Sequence, residues 1–166
     1  GKEDTTRFTE RFGHAGQVRP EGRLVWAHGA SVGEALAVLP LAEYLVAEGL
    51  SVLITSGTVT SAQILESRLK MGMVHQYVPI DRPAAVRRFL NHWHPDAALW
   101  VESELWPNLV LSTAARDIPM IMVNARMSER SAQHWRRMPR LITPLLGAFS
   151  AILAQSNTDG ARLQAL

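Results

Sequence analysis

The chain has no cysteine, which excludes a disulfide framework and any thiolate metal site and fits a reducing compartment. No stretch approaches the ~18 uninterrupted apolar residues of a membrane-spanning helix, and the polar opening GKEDTTRFTERFG does not read as a signal peptide, so none is expected. Charge of one sign is scarce too: 17 Lys and Arg stand against 15 Asp and Glu, a net +2. That imbalance is too small to argue for a nucleic-acid partner. The phosphate-binding signatures G-x-G-x-x-G and G-x-x-x-x-G-K-[ST] are both absent. His92 and His94 flank Trp93, a pattern read as a solvated helix end, so no metal and no cofactor is expected.

Hydrophobic residues make up 47% of the 166, enough for a real core in one domain or in one half of a two-domain protein. Strand-length apolar runs lie at 24–28, 51–55, 74–78, 97–101, 120–124 and 151–154. Longer amphipathic stretches alternate with them at 32–48, 60–70, 83–93, 105–116 and 128–146, and the final residues begin another helix. That alternation predicts βαβ units and a parallel sheet covered on both faces. Six strands suit an α/β, Rossmann-like doubly wound sheet over residues 21–166, with residues 1–20 read as a polar amino-terminal arm. Gly49 suits a left-handed helix end, Asp81 before Arg82-Pro83 reads as a cap and proline at a helix start, and Pro40 is expected to bend the first helix.

In open parallel sheets, ligands bind outside the carboxyl ends of the strands. The segments there read HGASVGE, TSGTVTS, PIDRP, ESELWPN, NARMSERS and QSNTDG. They supply Ser31, Gly33 and Glu34, then Thr55, Ser56 and Thr58, the carboxylates Glu102 and Glu104 on either side of Ser103, and finally Asn124, Arg126, Ser128 and Arg130. Small hydroxyls with paired arginines make a polar rim for a hydroxyl-rich, anionic ligand. Capping alone also puts Ser, Thr, Asp and Asn at helix starts, and Ser31 with Glu34 has the spacing of a capping box. Two carboxylates just after one strand are harder to explain as caps. Gly29-Ala-Ser31-Val-Gly33 matches the letters G-x-S-x-G, but that nucleophile motif needs a later strand and a downstream acid and histidine. His75 and His134 lie in no such loop, so a hydrolase is disfavoured.

Taken together, ERFG, HGASVGE, TSGTVTS, ESELWPNL, NARMSERS and LAQSNTD resemble the amino-terminal half of the bacterial Kdo transferases, from about Glu10 to the last residue. These transfer 3-deoxy-D-manno-octulosonic acid (Kdo) from CMP-Kdo to a lipid A precursor in lipopolysaccharide biosynthesis. The resemblance implies the amino-terminal, acceptor-binding half of a GT-B glycosyltransferase at the cytoplasmic face of the bacterial inner membrane. It implies Glu34 as the catalytic base of an inverting transfer, with CMP-Kdo bound mainly by a carboxy-terminal domain. Glu102 is expected to tune or orient Glu34. The family's membrane-anchoring segment before ERFG and its donor domain are not in these 166 residues, so the chain is expected to be soluble and silent alone.

One carboxylate suffices for such a reaction, because CMP is already a good leaving group. Gly33 beside Glu34 permits close approach of a ligand. Arg126 and Arg130 are placed to pair with a phosphate or carboxylate. HWRRMPRL sets Trp135 among Arg136, Arg137 and Arg140, a solvated basic helix that an anionic membrane surface would attract. Two other readings stay open. One is half of a sugar-nucleotide epimerase; the other is a non-enzymatic α/β interaction module, against which the lack of an acidic cluster after the first strand counts.

Overall fold

The polypeptide alternates strand and helix from Leu24 onward, and a computed structural model describes its residues 4–102 and 104–166. The strands are β1 (Leu24–His28), β2 (Ser51–Ser56), β3 (Met73–Tyr77), β4 (Ala97–Val101), β5 (Met120–Ala125) and β6 (Ala151–Ala154). All are parallel, in the order β3-β2-β1-β4-β5-β6. The helices are α1 (Val32–Ala47), α2 (Val59–Glu66), α3 (Pro83–Trp93), α4 (Pro107–Ala114), α5 (Glu129–Trp135), α6 (Pro139–Gly147) and α7 (Asn157–Gln164). Strand order reverses between β1 and β4. Right-handed crossovers therefore place α1 and α2 on one face and the later helices on the other.

Side-chain alternation along the strands supplies a separate core to each face. Trp26, Leu53, Trp100, Met120 and Met122 pack with Phe89, Leu109 and Leu145 from α3, α4 and α6. Ala27, Ile54 and Val101 pack with Val38, Leu39 and Ala42 of α1 and Leu65 of α2. Trp26 and Trp100 meet edge-to-face at 5.1 Å between ring centres. Their indole N–H groups need partners when buried: Trp26 donates to Thr55 Oγ1 at 2.8 Å and Trp100 to the Glu104 carbonyl at 2.7 Å.

The sheet is not covered evenly. Only two helices serve the α1 face, and they sit over β1 to β3. Ile121 and Leu153 of β5 and β6 are consequently 37% and 58% exposed on that side, where coverage of both faces was expected. The stretch 128–146 is two helices rather than one. Pro139 disfavours helical geometry at the preceding Met138, whose ψ is +54°, and itself starts α6. Asp81 also differs from expectation. Its carboxylate accepts from the amides of Asn108 (3.1 Å) and Leu109 (2.8 Å), capping α4 across the loop, while α3 has no side-chain cap. α1 continues through Pro40.

The amino-terminal residues include a 3₁₀ helix (Phe8–Phe12) that docks on β3 and α3. Glu10 is only 3% exposed. It pairs with Arg7 at 2.9 Å and accepts the Tyr77 amide at 2.8 Å. No helix among the described residues is long and apolar enough to cross a membrane.

Candidate active site

The strand order reverses between β1 and β4, the point at which open parallel sheets form the crevice that takes their ligands. β1 and β4 are paired up to His28 and Trp100, so Ala30 and Glu102 each lie two residues beyond the last rung. Glu34 follows at the third helical position of α1.

Glu34 is half-buried. Its Oε2 accepts the Ala30 amide at 2.8 Å, and its own amide donates to the Ser31 hydroxyl at 3.3 Å. This is a capping box displaced by one residue, because the carboxylate serves the amide before the N-cap. The other oxygen, Oε1, takes no hydrogen bond from the described residues. Two glycines allow close backbone approach here, Gly29 against the start of α1 and Gly57 between the loops after β2 and β1. A Cβ on Gly29 would lie 2.9 Å from the Glu34 carbonyl carbon, and one on Gly57 would lie 2.9 Å from the Ala30 oxygen. The Gly57 amide donates to that oxygen at 3.0 Å. Sequence reasoning met Gly29 only as a letter of the G-x-S-x-G match and did not single out Gly57. Gly33, which it did single out, is exposed and open: a Cβ there would meet nothing closer than Ser31 Oγ at 4.0 Å.

Glu102 and Asn124, at the ends of neighbouring strands, hold left-handed backbone with φ of +60° and +53°. Asparagine tolerates this region, but glutamate rarely occupies it. The Glu102 amide donates to the Val123 carbonyl at 3.0 Å, and the β5–β6 register is irregular between Met122 and Ala125. The turn aims Glu102 toward Arg126, 3.9 Å away. Glu104 accepts from the Trp106 indole at 3.0 Å. Ser103 lies outside the described residues. Glu102, Glu104 and Arg126 line a cavity of about 180 Å³ together with Met127, Ser131 and Trp135.

Thr58 and Ser128 are the N-caps of α2 and α5, each accepting a Ser amide at 3.1 Å. Arg130 is exposed on α5. Thr55 and Ser56 stand apart from this rim, because both are fully buried. Thr55 accepts from Trp26 and lies 3.0 Å from His28 Nδ1. Ser56 is 2.9 Å from His75 Nε2. Arg7, which can only donate, lies 3.1 Å from His75 Nδ1, so Nε2 carries the ring proton and gives it to Ser56. Side chains alternate across the sheet, but at β2's buried end both faces lie beneath other elements, which the run's polarity does not reveal. Burial lowers the His28 pKa to about 4, and burial with the Arg7 and Arg11 charges lowers that of His75 to about 3. Both rings are neutral scaffolding. No group of three or more potential ligands among the described residues is arranged to hold a metal.

The family model described as 3-Deoxy-D-manno-octulosonic-acid transferase (kdotransferase) matches residues 6–166. A protein of Arabidopsis thaliana named "Probable 3-deoxy-D-manno-octulosonic acid transferase, mitochondrial" is 40% identical, across 100% of this chain and 38% of its own length. The 3-deoxy-D-manno-octulosonic acid transferases of Rickettsia bellii and Haemophilus influenzae are 39% and 34% identical, each across 96% of this chain and 38% of the relative. This chain thus spans less than two fifths of these relatives.

Among solved structures, a UDP-N-acetylglucosamine 2-epimerase superposes with a TM-score of 0.57 at 14% identity, over 87% of this chain and 45% of that one. The UDP-GlcNAc 2-epimerase of Neisseria meningitidis, bound to UDP-GlcNAc, gives 0.54 at 13%, over 87% and 43%. These likenesses establish the shared α/β, Rossmann-like fold and nothing about chemistry. The match along nearly its whole length decides the family: the chain belongs to the 3-deoxy-D-manno-octulosonic-acid transferases.

Proposed function

We propose that this chain is the acceptor-binding domain of an inverting glycosyltransferase that moves Kdo from CMP-Kdo to a lipid A precursor. In this reading Glu34 is the general base. Its Oε2 is anchored on the Ala30 amide, which fixes the carboxylate, and Oε1 takes the proton of the acceptor hydroxyl as that oxygen attacks the anomeric carbon. CMP leaves from the opposite face and carries the electron pair. A positioned base of this kind is worth ~10²–10⁴-fold in rate.

The observation that carries the reading is a half-accessible carboxylate at the strand reversal of a chain belonging to this family. Glu102 is the positioning residue across the crevice. Ser31, Gly33, Thr58, Asn124, Arg126, Ser128 and Arg130 form the rim that receives the acceptor. Thr55 and Ser56 drop out of the rim and support it from below. Arg136, Arg137 and Arg140, around the α5–α6 break, would draw the domain to an anionic membrane. The epimerase reading has only fold likeness in its favour.

The test is Glu34→Gln in the full-length enzyme. The amide keeps shape and can still accept from Ala30, but it cannot take a proton. Transfer should fall by ~10²-fold or more with little change in KM. Transfer near the normal level would leave Glu34 as a helix cap.

A further inference from the structure

Beside the crevice, on the outer side of α5, lies an open basin of about 580 Å³ lined by Arg130, Ser131, Gln133, His134, Trp135 and Arg137. We propose that it binds a phosphomonoester; the proposal rests on the acceptor-binding reading above and gives that acceptor's anionic group a place. No carboxylate lines the basin. The acid of the same helix, Glu129, pairs with Arg162 at 3.1 Å and Arg136 at 4.0 Å, outside the basin's lining, and accepts from Gln133 of the lining at 3.2 Å. Arg130 and Arg137 are left with no ion pair among the described residues.

The spacing explains the convergence. Residues 130, 134 and 137 recur at four and three positions, which sets them along one side of a helical turn and its exit. Two guanidinium forks and an imidazole offer more donors than the two oxygens of a carboxylate can use, whereas the three terminal oxygens of a phosphomonoester match them. Ser131 adds another donor. Its hydroxyl accepts from Ser128 Oγ at 2.9 Å, so its own proton is free to point into the basin.

The volume falls within the ~300–1,000 Å³ of small-molecule pockets, so there is room for the group that bears the phosphate. Ser131 and Trp135 line both this basin and the cavity holding Glu102 and Arg126. A phosphate held by Arg130 and Arg137 therefore leaves the rest of its molecule leading over Ser131 and the Trp135 indole toward the strand ends.

The probes are inorganic phosphate, and phosphatidylcholine vesicles carrying either phosphatidic acid, a monoester, or phosphatidylglycerol at equal charge, a diester. At fixed ionic strength, Arg130→Gln with Arg137→Gln should weaken inorganic phosphate binding tenfold or more. It should weaken phosphatidic acid binding more than phosphatidylglycerol binding. The control pair Arg23→Gln with Arg87→Gln, exposed and elsewhere, removes the same charge and should change neither. Equal losses from both pairs, or no phosphate binding by the parent protein, overturn the proposal. So does a loss confined to vesicles and blind to ester type, which would make the basin a general membrane-facing charge. Because the readout is binding, a failure here leaves the Glu34→Gln transfer result untouched, and the reverse holds too.

Discussion

Glu34 and Ala30 are joined by a 2.8 Å hydrogen bond from the Ala30 amide to Oε2, so the carboxylate secures the turn that precedes its own helix. Capping and base chemistry divide between the two oxygens, and the two roles separate by mutation. Glu34→Ala should destabilise by about 1 kcal/mol, the usual cost of a lost cap. Glu34→Gln should stay within ~0.5 kcal/mol of the parent in urea titrations. If both substitutions abolish transfer while only the alanine unfolds more easily, the proton-accepting role is isolated from the structural one.

Glu102 supplies a second separation. Its φ of +60° costs a residue with a Cβ roughly 1 kcal/mol, and its partly exposed pair with Arg126 returns little of that. Glu102→Gly should therefore hold or raise thermal stability, by up to about 1 kcal/mol, while transfer declines. Glu102→Val, β-branched at a positive φ, should lose about 1–2 kcal/mol. A glycine variant less stable than the parent would mean that the side chain holds the turn in place.

The glycines of the first two loops make an opposite pair. Gly57→Ala drives a methyl to 2.9 Å from the Ala30 oxygen, a backbone atom that cannot swing away. About 1–3 kcal/mol of stability should be lost. Gly33→Ala has open space and a helical position where alanine is favoured, so stability should hold or rise by up to ~1 kcal/mol. A fall in acceptor affinity in that stable variant would place the ligand against Gly33.

The sheet was legible because buried parallel strands are short apolar runs and the connecting helices are longer and periodic; β1, β4 and β6 end where the pattern predicts. The rim was legible as residue types, since loops after strands concentrate polar side chains. Their orientation was not. Thr55 and Ser56 look like neighbours of Thr58 in TSGTVTS, yet Trp26 and His75 claim their hydroxyls inside the fold, partners 29 and 19 residues away in the chain. Glu10 was equally hidden. A charged residue in a polar arm reads as solvated until its Arg7 and Tyr77 partners are seen.

That buried glutamate carries a direct consequence. Glu10 accepts from Arg7 and the Tyr77 amide at 3% exposure. Its removal leaves the buried Tyr77 amide without a partner, while Arg7 keeps Glu66 at 2.7 Å and the His75 carbonyl at 2.9 Å. Glu10→Ala should cost about 2–3 kcal/mol. Pulsed proteolysis should then cut the first 20 residues of the variant before the sheet. Simultaneous cleavage of both would show that the arm and the sheet unfold as one unit.

Acid should destabilise the fold through His28 and His75. Both are buried, with folded pKa values of about 4 and about 3 against 6.5 for an unperturbed histidine. Between those limits the unfolded chain takes up protons that the folded one refuses, so stability rises with pH across the window. The contribution is complete above 6.5 and drains away as pH falls toward 4. From pH 7 to pH 5 each ring should cost about 2 kcal/mol, since one pKa unit is worth about 1.4 kcal/mol. Urea midpoints at the two pH values measure the loss directly. His75→Gln can still donate to Ser56 and does not titrate, so its baseline stability will be lower but its dependence on pH shallower. A slope as steep as the parent's would mean that the acid sensitivity comes from other groups.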